Sequence, residues 1–135
     1  MTSPPESRPR VVVADDHPTI AVAVGRMLRP CCEIVACVSN GNEAIGAVSR
    51  FRPDVLVVDL IMPDMNGLEV CRRVKQVAPE TDIVVVTAFD DTNVQATAFQ
   101  SGAAAFLHKF SITETLEPTI QRLFVERQAT RQSKR

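Results

Sequence analysis

The sequence predicts an α/β fold, a doubly wound parallel sheet of five strands. Two observations lead there. Short apolar runs recur five times along the chain, with a helical pattern after each of them. The best of these runs are near-continuous rather than alternating, as suits strands buried on both faces. At 135 residues the chain is one domain's worth, enough to bury about two-thirds of its unfolded surface.

Taken in order, VVVADD (11–16) is the first strand. PTIAVAVGRMLRP follows, with Ile20, Val24 and Met27 or Leu28 at helical spacing and Pro18 in the first turn, where its missing N–H is harmless. EIVACVS (33–39) is a weaker strand, and GNEAIGAVSRF a helix with Ala44, Ile45 and Val48 inward. DVLVVDL (54–60) is the third strand; the loop IMPDMNG then leads to a helix whose stripe is Leu68, Val70, Cys71, Val74 and Val77. DIVVVTAF (82–89) is the fourth strand, and DDTNVQATAFQSG a short helix ending at Gly102, a natural left-handed cap. AAAFLHKF (103–110) is the fifth strand. SITE (111–114) matches a capping box for the last helix, where Leu116, Ile120 and Leu123 recur. Pro118 predicts a kink or a late start. The folded domain is expected over residues 10–126, after a proline-rich disordered leader (1–9). Residues 127–135 are read as a basic tail, a frayed helix end or a linker stub.

Apolar residues are 45% and charged residues 23%, and the net charge is −1. That balance gives no overall pull toward nucleic acid or an acidic membrane. No apolar run nears the ~20 residues that span a bilayer, and the N-terminus is no signal peptide. Cys31, Cys32, Cys37 and Cys71 lack CxxC spacing, which predicts reduced thiols in or near the core. His17 and His108 are too few for a His-based metal centre.

Polar residues gather at the strand ends: Asp15 and Asp16, Asp59, Thr87 and Lys109. In a parallel sheet these ends share one edge, and ligands bind there at the point where strand order reverses. With the order 2-1-3-4-5 the three aspartates meet at that point. Crowded carboxylates need a cation, and an all-oxygen site suits Mg²⁺. Lys109 can neutralise a phosphate oxygen, and Thr87 can donate to another. This is equipment for phosphoryl transfer, with Asp59, the central carboxylate, as nucleophile.

With Asp15-Asp16, D-x-x-M-P at 59–63, Gly67, Thr87-Ala88 and Lys109, the sequence resembles the receiver domain of two-component response regulators, a flavodoxin-like three-layer sandwich. The resemblance runs from about Val11 to about Val125. It implies a phosphorylation-dependent switch in the cytoplasm, not an enzyme acting on other substrates, in which Asp59 takes a phosphoryl group from a sensor histidine kinase. It implies that Asp16, Asp59 and the Ile61 carbonyl bind Mg²⁺, with Asp15 close by. Lys109 would pair with the phosphoryl group, Thr87 would move to hydrogen-bond it, and the small Ala88 would leave it room. Phe106 would follow as the switching aromatic, reshaping the helix 4–strand 5–helix 5 surface, through which a homodimer could also form. Helix 1 positions such as Ala21, Val22 and Arg26 would select the kinase.

The ADDHP form, with His17-Pro18, is similar to the subgroup that usually precedes a helix-turn-helix DNA-binding domain. Contact with DNA would fall to such an output domain, absent from this chain, and a standalone receiver stays open as an alternative. Two departures stand out. Phe110 replaces the proline that usually follows the lysine, so a cis bond, costing ~3 kcal/mol without proline, is not expected. Phe106 lacks the usual tyrosine hydroxyl. Ile61 and Phe89, each two residues past a site residue, are large and apolar and predict a slowly hydrolysing aspartyl phosphate. Three rival readings fit the same sheet. A small Mg²⁺ phosphatase would want an acid where Ile61 stands; a flavin binder would want a phosphate-cradling first loop rather than DDHP. A phosphorylation-independent interaction module is the third.

Overall fold

A computed structural model describes residues 8–88 and 91–133. The strands are β1 (Arg10–Ala14), β2 (Glu33–Val38), β3 (Val55–Asp59), β4 (Asp82–Thr87) and β5 (Ala105–His108). The helices are α1 (Pro18–Leu28), α2 (Gly41–Phe51), α3 (Gly67–Val77), α4 (Thr92–Gln100) and α5 (Ile112–Ser133). All strand pairs are parallel and the order is β2-β1-β3-β4-β5, as expected.

Alternation along the strands builds the three layers. Val12, Ala14, Leu56, Val58, Ile83 and Val85 face one side, against Ala44 and Val48 of α2, Val70 and Val74 of α3 and Ala98 of α4. Val11, Val13, Val55, Val57, Val84 and Val86 face the other, against Val24 and Leu28 of α1 and Leu116 and Ile120 of α5. β1, β3 and β4 are therefore apolar in both directions, which is why their sequences read as unbroken runs. β2 is an edge strand with one neighbour and is only partly buried, so its sequence signal was weak.

Several boundaries differ from the sequence reading. β1 stops at Ala14, so Asp15 and Asp16 lie beyond the strand, where their side chains need not alternate. β5 is short, and Lys109 opens a 3₁₀ turn, Lys109–Ser111, that runs straight into α5. The capping box expected at 111–114 is not the one used. The extended-to-helical change falls at His108, while Ser111 Oγ donates to the His108 carbonyl (3.3 Å). Nor does α5 start late, since it begins at Ile112 with Pro118 inside it. It also runs through residue 127 without interruption, held to the sheet by Arg127, whose guanidinium lies 2.6 Å from Asp82. Val77, expected in the α3 stripe, is 38% exposed. Cys32 and Cys71 are buried, Cys31 is half-buried and Cys37 is exposed, so the last lies off the core. No described peptide bond is cis. Among the described residues no helix is long and apolar enough to cross a membrane.

Candidate functional site

Beyond β1 the Asp15 backbone N–H donates to the Val38 carbonyl of β2 (3.0 Å), which turns the chain over the sheet's C-terminal edge. Asp15 Oδ1 then accepts the His17 backbone N–H (2.9 Å), making a tight turn before α1. Asp59 is the last residue of β3, and its side chain is only 7% exposed. Its Oδ1 accepts the Ile61 backbone N–H (3.3 Å). Its Oδ2 accepts from Lys109 Nζ at 2.9 Å, and the same ammonium lies 3.4 Å from Asp15 Oδ2.

One ammonium thus serves two buried carboxylates. Burial pulls the Lys109 pKa down, but the bond and charge of Asp59, then those of Asp15, outweigh it and the net displacement is upward. Asp16 is left outside this arrangement: its Oδ1 is buried and makes no hydrogen bond. Ligand atoms of Asp15, Asp16, His17 and Asp59 all lie within 4.8 Å of one another. Three carboxylates against one lysine leave negative charge uncompensated, and that favours a divalent cation.

The loop after Asp59 is held by two devices. Gly67 approaches the strand so closely that a Cβ there would stand 2.9 Å from the Asp59 carbonyl oxygen and 3.0 Å from Leu60 Cα. Asp64 accepts from the first backbone N–H groups of α2, Gly41 (2.8 Å) and Asn42 (2.9 Å). Those two bonds hold the Asp64 carboxyl below its ordinary value.

The expected residues therefore converge. Asp15, Asp16, Asp59 and Lys109 meet directly, and Thr87 is buried at the end of the adjacent strand. Ala88 beside it is exposed, and Ile61 is 53% exposed at the rim. Phe106 is half-buried against the α2–α3–α4 layer, with its ring edge-on to His108 at 6.1 Å. His108 in turn stacks on Phe110 (5.3 Å), which is 78% exposed. Phe89 lies outside the described residues. Ala21 is corrected: it is 6% exposed and packs inward, leaving Val22 and Arg26 on the surface.

Two participants escaped the sequence reading. Asp64 carried no signal, because its partners are backbone groups 22 and 23 residues away. His17 is masked in the sequence because two histidines cannot build a histidine centre. A mixed set with carboxylates needs only one, and the adjacency to Asp16 was the available clue.

The family described as Response regulator receiver domain matches residues 11–121. The oxygen regulatory protein NreC of Staphylococcus epidermidis is 36% identical over 110 residues, 79% of this chain and 50% of that protein. The transcriptional regulatory protein DegU of Brevibacillus brevis is 32% identical over 106 residues, 77% of this chain and 45% of that one. This chain thus spans about half the length of these relatives. A crystal structure of a LuxR-family two-component response regulator from Aurantimonas superposes with TM-score 0.83 at 26% identity, covering 88% of this chain and 86% of that one.

Proposed function

The chain belongs to the response regulator receiver domain family, and from that premise we propose a Mg²⁺-dependent switch in which Asp59 accepts a phosphoryl group from a sensor histidine kinase. The observation that carries the proposal is Asp59 itself. It is a buried carboxylate at the end of a central strand, with one oxygen on Lys109 and two more aspartates within ligand reach.

In the transfer, an Asp59 oxygen forms the new O–P bond as the N–P bond to the kinase histidine breaks. Lys109 leaves its carboxylate partner to pair with a phosphoryl oxygen. The Thr87 hydroxyl donates to a second oxygen, and Ala88 leaves the group room. Asp16, Asp59 and the Ile61 carbonyl would hold Mg²⁺, with Asp15 beside them. Asp16 Oδ1, buried without a hydrogen bond and 3.1 Å from His17 Nδ1, is an oxygen of the kind Mg²⁺ takes. When bound, the ion neutralises charge developing on the phosphoryl oxygens. Phe106, half-buried before the event, would follow Thr87 inward and change the α4–β5–α5 surface, where a homodimer could form.

The kinase would dock on α1 and the start of α5. A groove of about 390 Å³ lies there, floored by Ile20, Ala23, Val24, Met27 and Ile112 and reaching Lys109. Val22 of α1 and Phe110 of the 3₁₀ turn before α5 are large apolar side chains 52% and 78% exposed. The working place would be the cytoplasm and the switching domain residues 10–126, with α5 carrying the chain on to Ser133. The output would be transcription, through a DNA-binding domain of the kind the ADDHP form accompanies.

The test is loading with a small acyl phosphate donor, read by intact mass and peptide mapping. Phosphate should appear on Asp59 with Mg²⁺, vanish with chelator, and be absent in Asp59→Asn. Phosphate retained in Asp59→Asn would place the acceptor elsewhere, and none in the wild type at any Mg²⁺ concentration would leave the interaction-module reading in its place.

A further inference from the structure

His17 occupies the N-cap position of α1, where a side chain ordinarily accepts a backbone N–H from the first turn. Its ring makes no such bond. It turns back instead, and Nδ1 stands 3.1 Å from Asp16 Oδ1 and 3.3 Å from Asp15 Oδ1. The Asp16 oxygen it faces is the buried one that makes no hydrogen bond. The backbone holds this placement, since the His17 N–H is bound to the same Asp15 oxygen that Nδ1 approaches. Pro18 follows at the first helical position. With 62% of its side chain exposed, the ring sits at the mouth of the acid cluster, where an ion from solvent would enter.

We infer that His17 is a nitrogen donor of the cation site and tilts its selectivity from Mg²⁺ toward late first-row divalent ions such as Co²⁺ and Zn²⁺. The inference rests on the receiver reading of the Asp15, Asp16 and Asp59 cluster and names a ligand beyond it. Mg²⁺ prefers oxygen donors and keeps its waters, so an imidazole adds little to its binding. Zn²⁺ takes imidazole and carboxylate together, and affinity rises from Mn²⁺ through Co²⁺ along the first row. One ring nitrogen within reach of two carboxylates supplies that mixed set. The other role open to the ring, a counter-cation for Asp15 and Asp16, predicts the opposite behaviour, because a cation would compete with every metal ion alike.

The two roles separate by calorimetric titration of the full chain with Mg²⁺ and with Co²⁺, the latter also followed by its visible absorption. The variants are His17→Ala and His17→Gln. The ratio of Co²⁺ to Mg²⁺ affinity should fall on the order of tenfold or more in both, since even an outer-shell partner is worth that much. The Co²⁺ spectrum should shift as nitrogen leaves the coordination sphere. An unchanged ratio and spectrum, or a gain in affinity for both ions, overturns the inference while leaving Asp59 phosphorylation in the wild type untouched. A wild type that binds neither ion overturns the receiver reading of the cluster, and this inference with it.

Discussion

Lys109 Nζ lies 2.9 Å from Asp59 Oδ2, across 50 residues of sequence. The pair ties the 3₁₀ turn after β5 to the end of β3. It also sets an alkaline limit on stability. Burial alone would lower the Lys109 pKa, but Asp59 and then Asp15 hold it above the ordinary lysine value. A raised folded value means the pair's stabilisation is complete below the unfolded value, about 10.4, and is lost as pH rises through the folded one. Denaturant unfolding on the alkaline side should therefore show stability falling. In Asp59→Asn that fall should be shallower, because the main partner is gone. Equal alkaline slopes in the two proteins would refute the coupling.

Asp64 sets the corresponding limit on the acid side. Its carboxyl is held low by the Asn42 and Gly41 backbone N–H groups. A depressed folded value gives stabilisation that is present above the unfolded value, about 3.9, and is lost as pH falls through the folded one. Asp64→Ala should be less stable near neutrality than the wild type, and the gap should close as pH falls below the unfolded value. The same variant loosens the loop beside Asp59, so phosphorylation should slow. A gap that stays constant across the acid range would mean that the charge of the Asp64 carboxylate adds nothing to the two bonds.

How much of this was legible follows from what each residue touches. Val55, Leu56, Val57 and Val58 are buried on both faces, so their strand could be read as an unbroken apolar run. The strand-end positions of Asp59 and Thr87 then followed from where the apolar runs give way to polar residues. β5 resisted because its ending is set by the turn at Lys109, and no local propensity marks that change. The meeting of Asp59 with Lys109 could be inferred, since parallel strands end on one edge. The tie from Asp64 to α2 could not, because backbone N–H groups carry no sequence signal. Nor could the side on which the His17 ring lies, since an N-cap side chain can turn to the helix or away from it.

Gly67→Ala gives the most local test of the loop. The new Cβ would meet backbone, the Asp59 carbonyl oxygen at 2.9 Å and Leu60 Cα at 3.0 Å, and neither can swing aside as a flexible side chain would. Overpacking of this kind costs typically about 1–3 kcal/mol. Because the strain falls on Asp59, phosphorylation by a small donor should drop along with stability. A variant that is fully stable and fully active would show that the loop yields freely.

The cysteines should differ sharply in reactivity. Burial pushes the Cys71 thiol up to about 12, with Lys75 and Arg72 opposing it weakly. Burial, and then contact with Cys31, push Cys32 upward as well. Cys37 is exposed on the edge strand. Since the thiolate is the nucleophile, alkylation of the native protein near pH 8 should reach the exposed Cys37 first and the buried Cys71 last. Peptide mapping after graded alkylation reads this directly. Prompt labelling of Cys71 without denaturant would mean that α3 opens from the sheet.

The last prediction concerns how long the phosphorylated state persists. The Ile61 backbone N–H is bound to Asp59 Oδ1, so its side chain starts from the rim of the site, and it is 53% exposed. A water attacking the aspartyl phosphate must pass this rim, and an isoleucine offers it neither donor nor acceptor. Without such orientation, hydrolysis should be slow, with decay far longer than seconds after loading and donor removal. Ile61→Asn places an amide there, able both to donate and to accept. A roughly three- to tenfold faster decay, about 0.6–1.4 kcal/mol off the barrier, is the expected result. Ile61→Val, which stays apolar, controls for simple loosening of the loop and should leave the decay close to the wild-type rate. Decay within seconds in the wild type, or equal acceleration in both variants, would show that packing rather than water placement governs the lifetime.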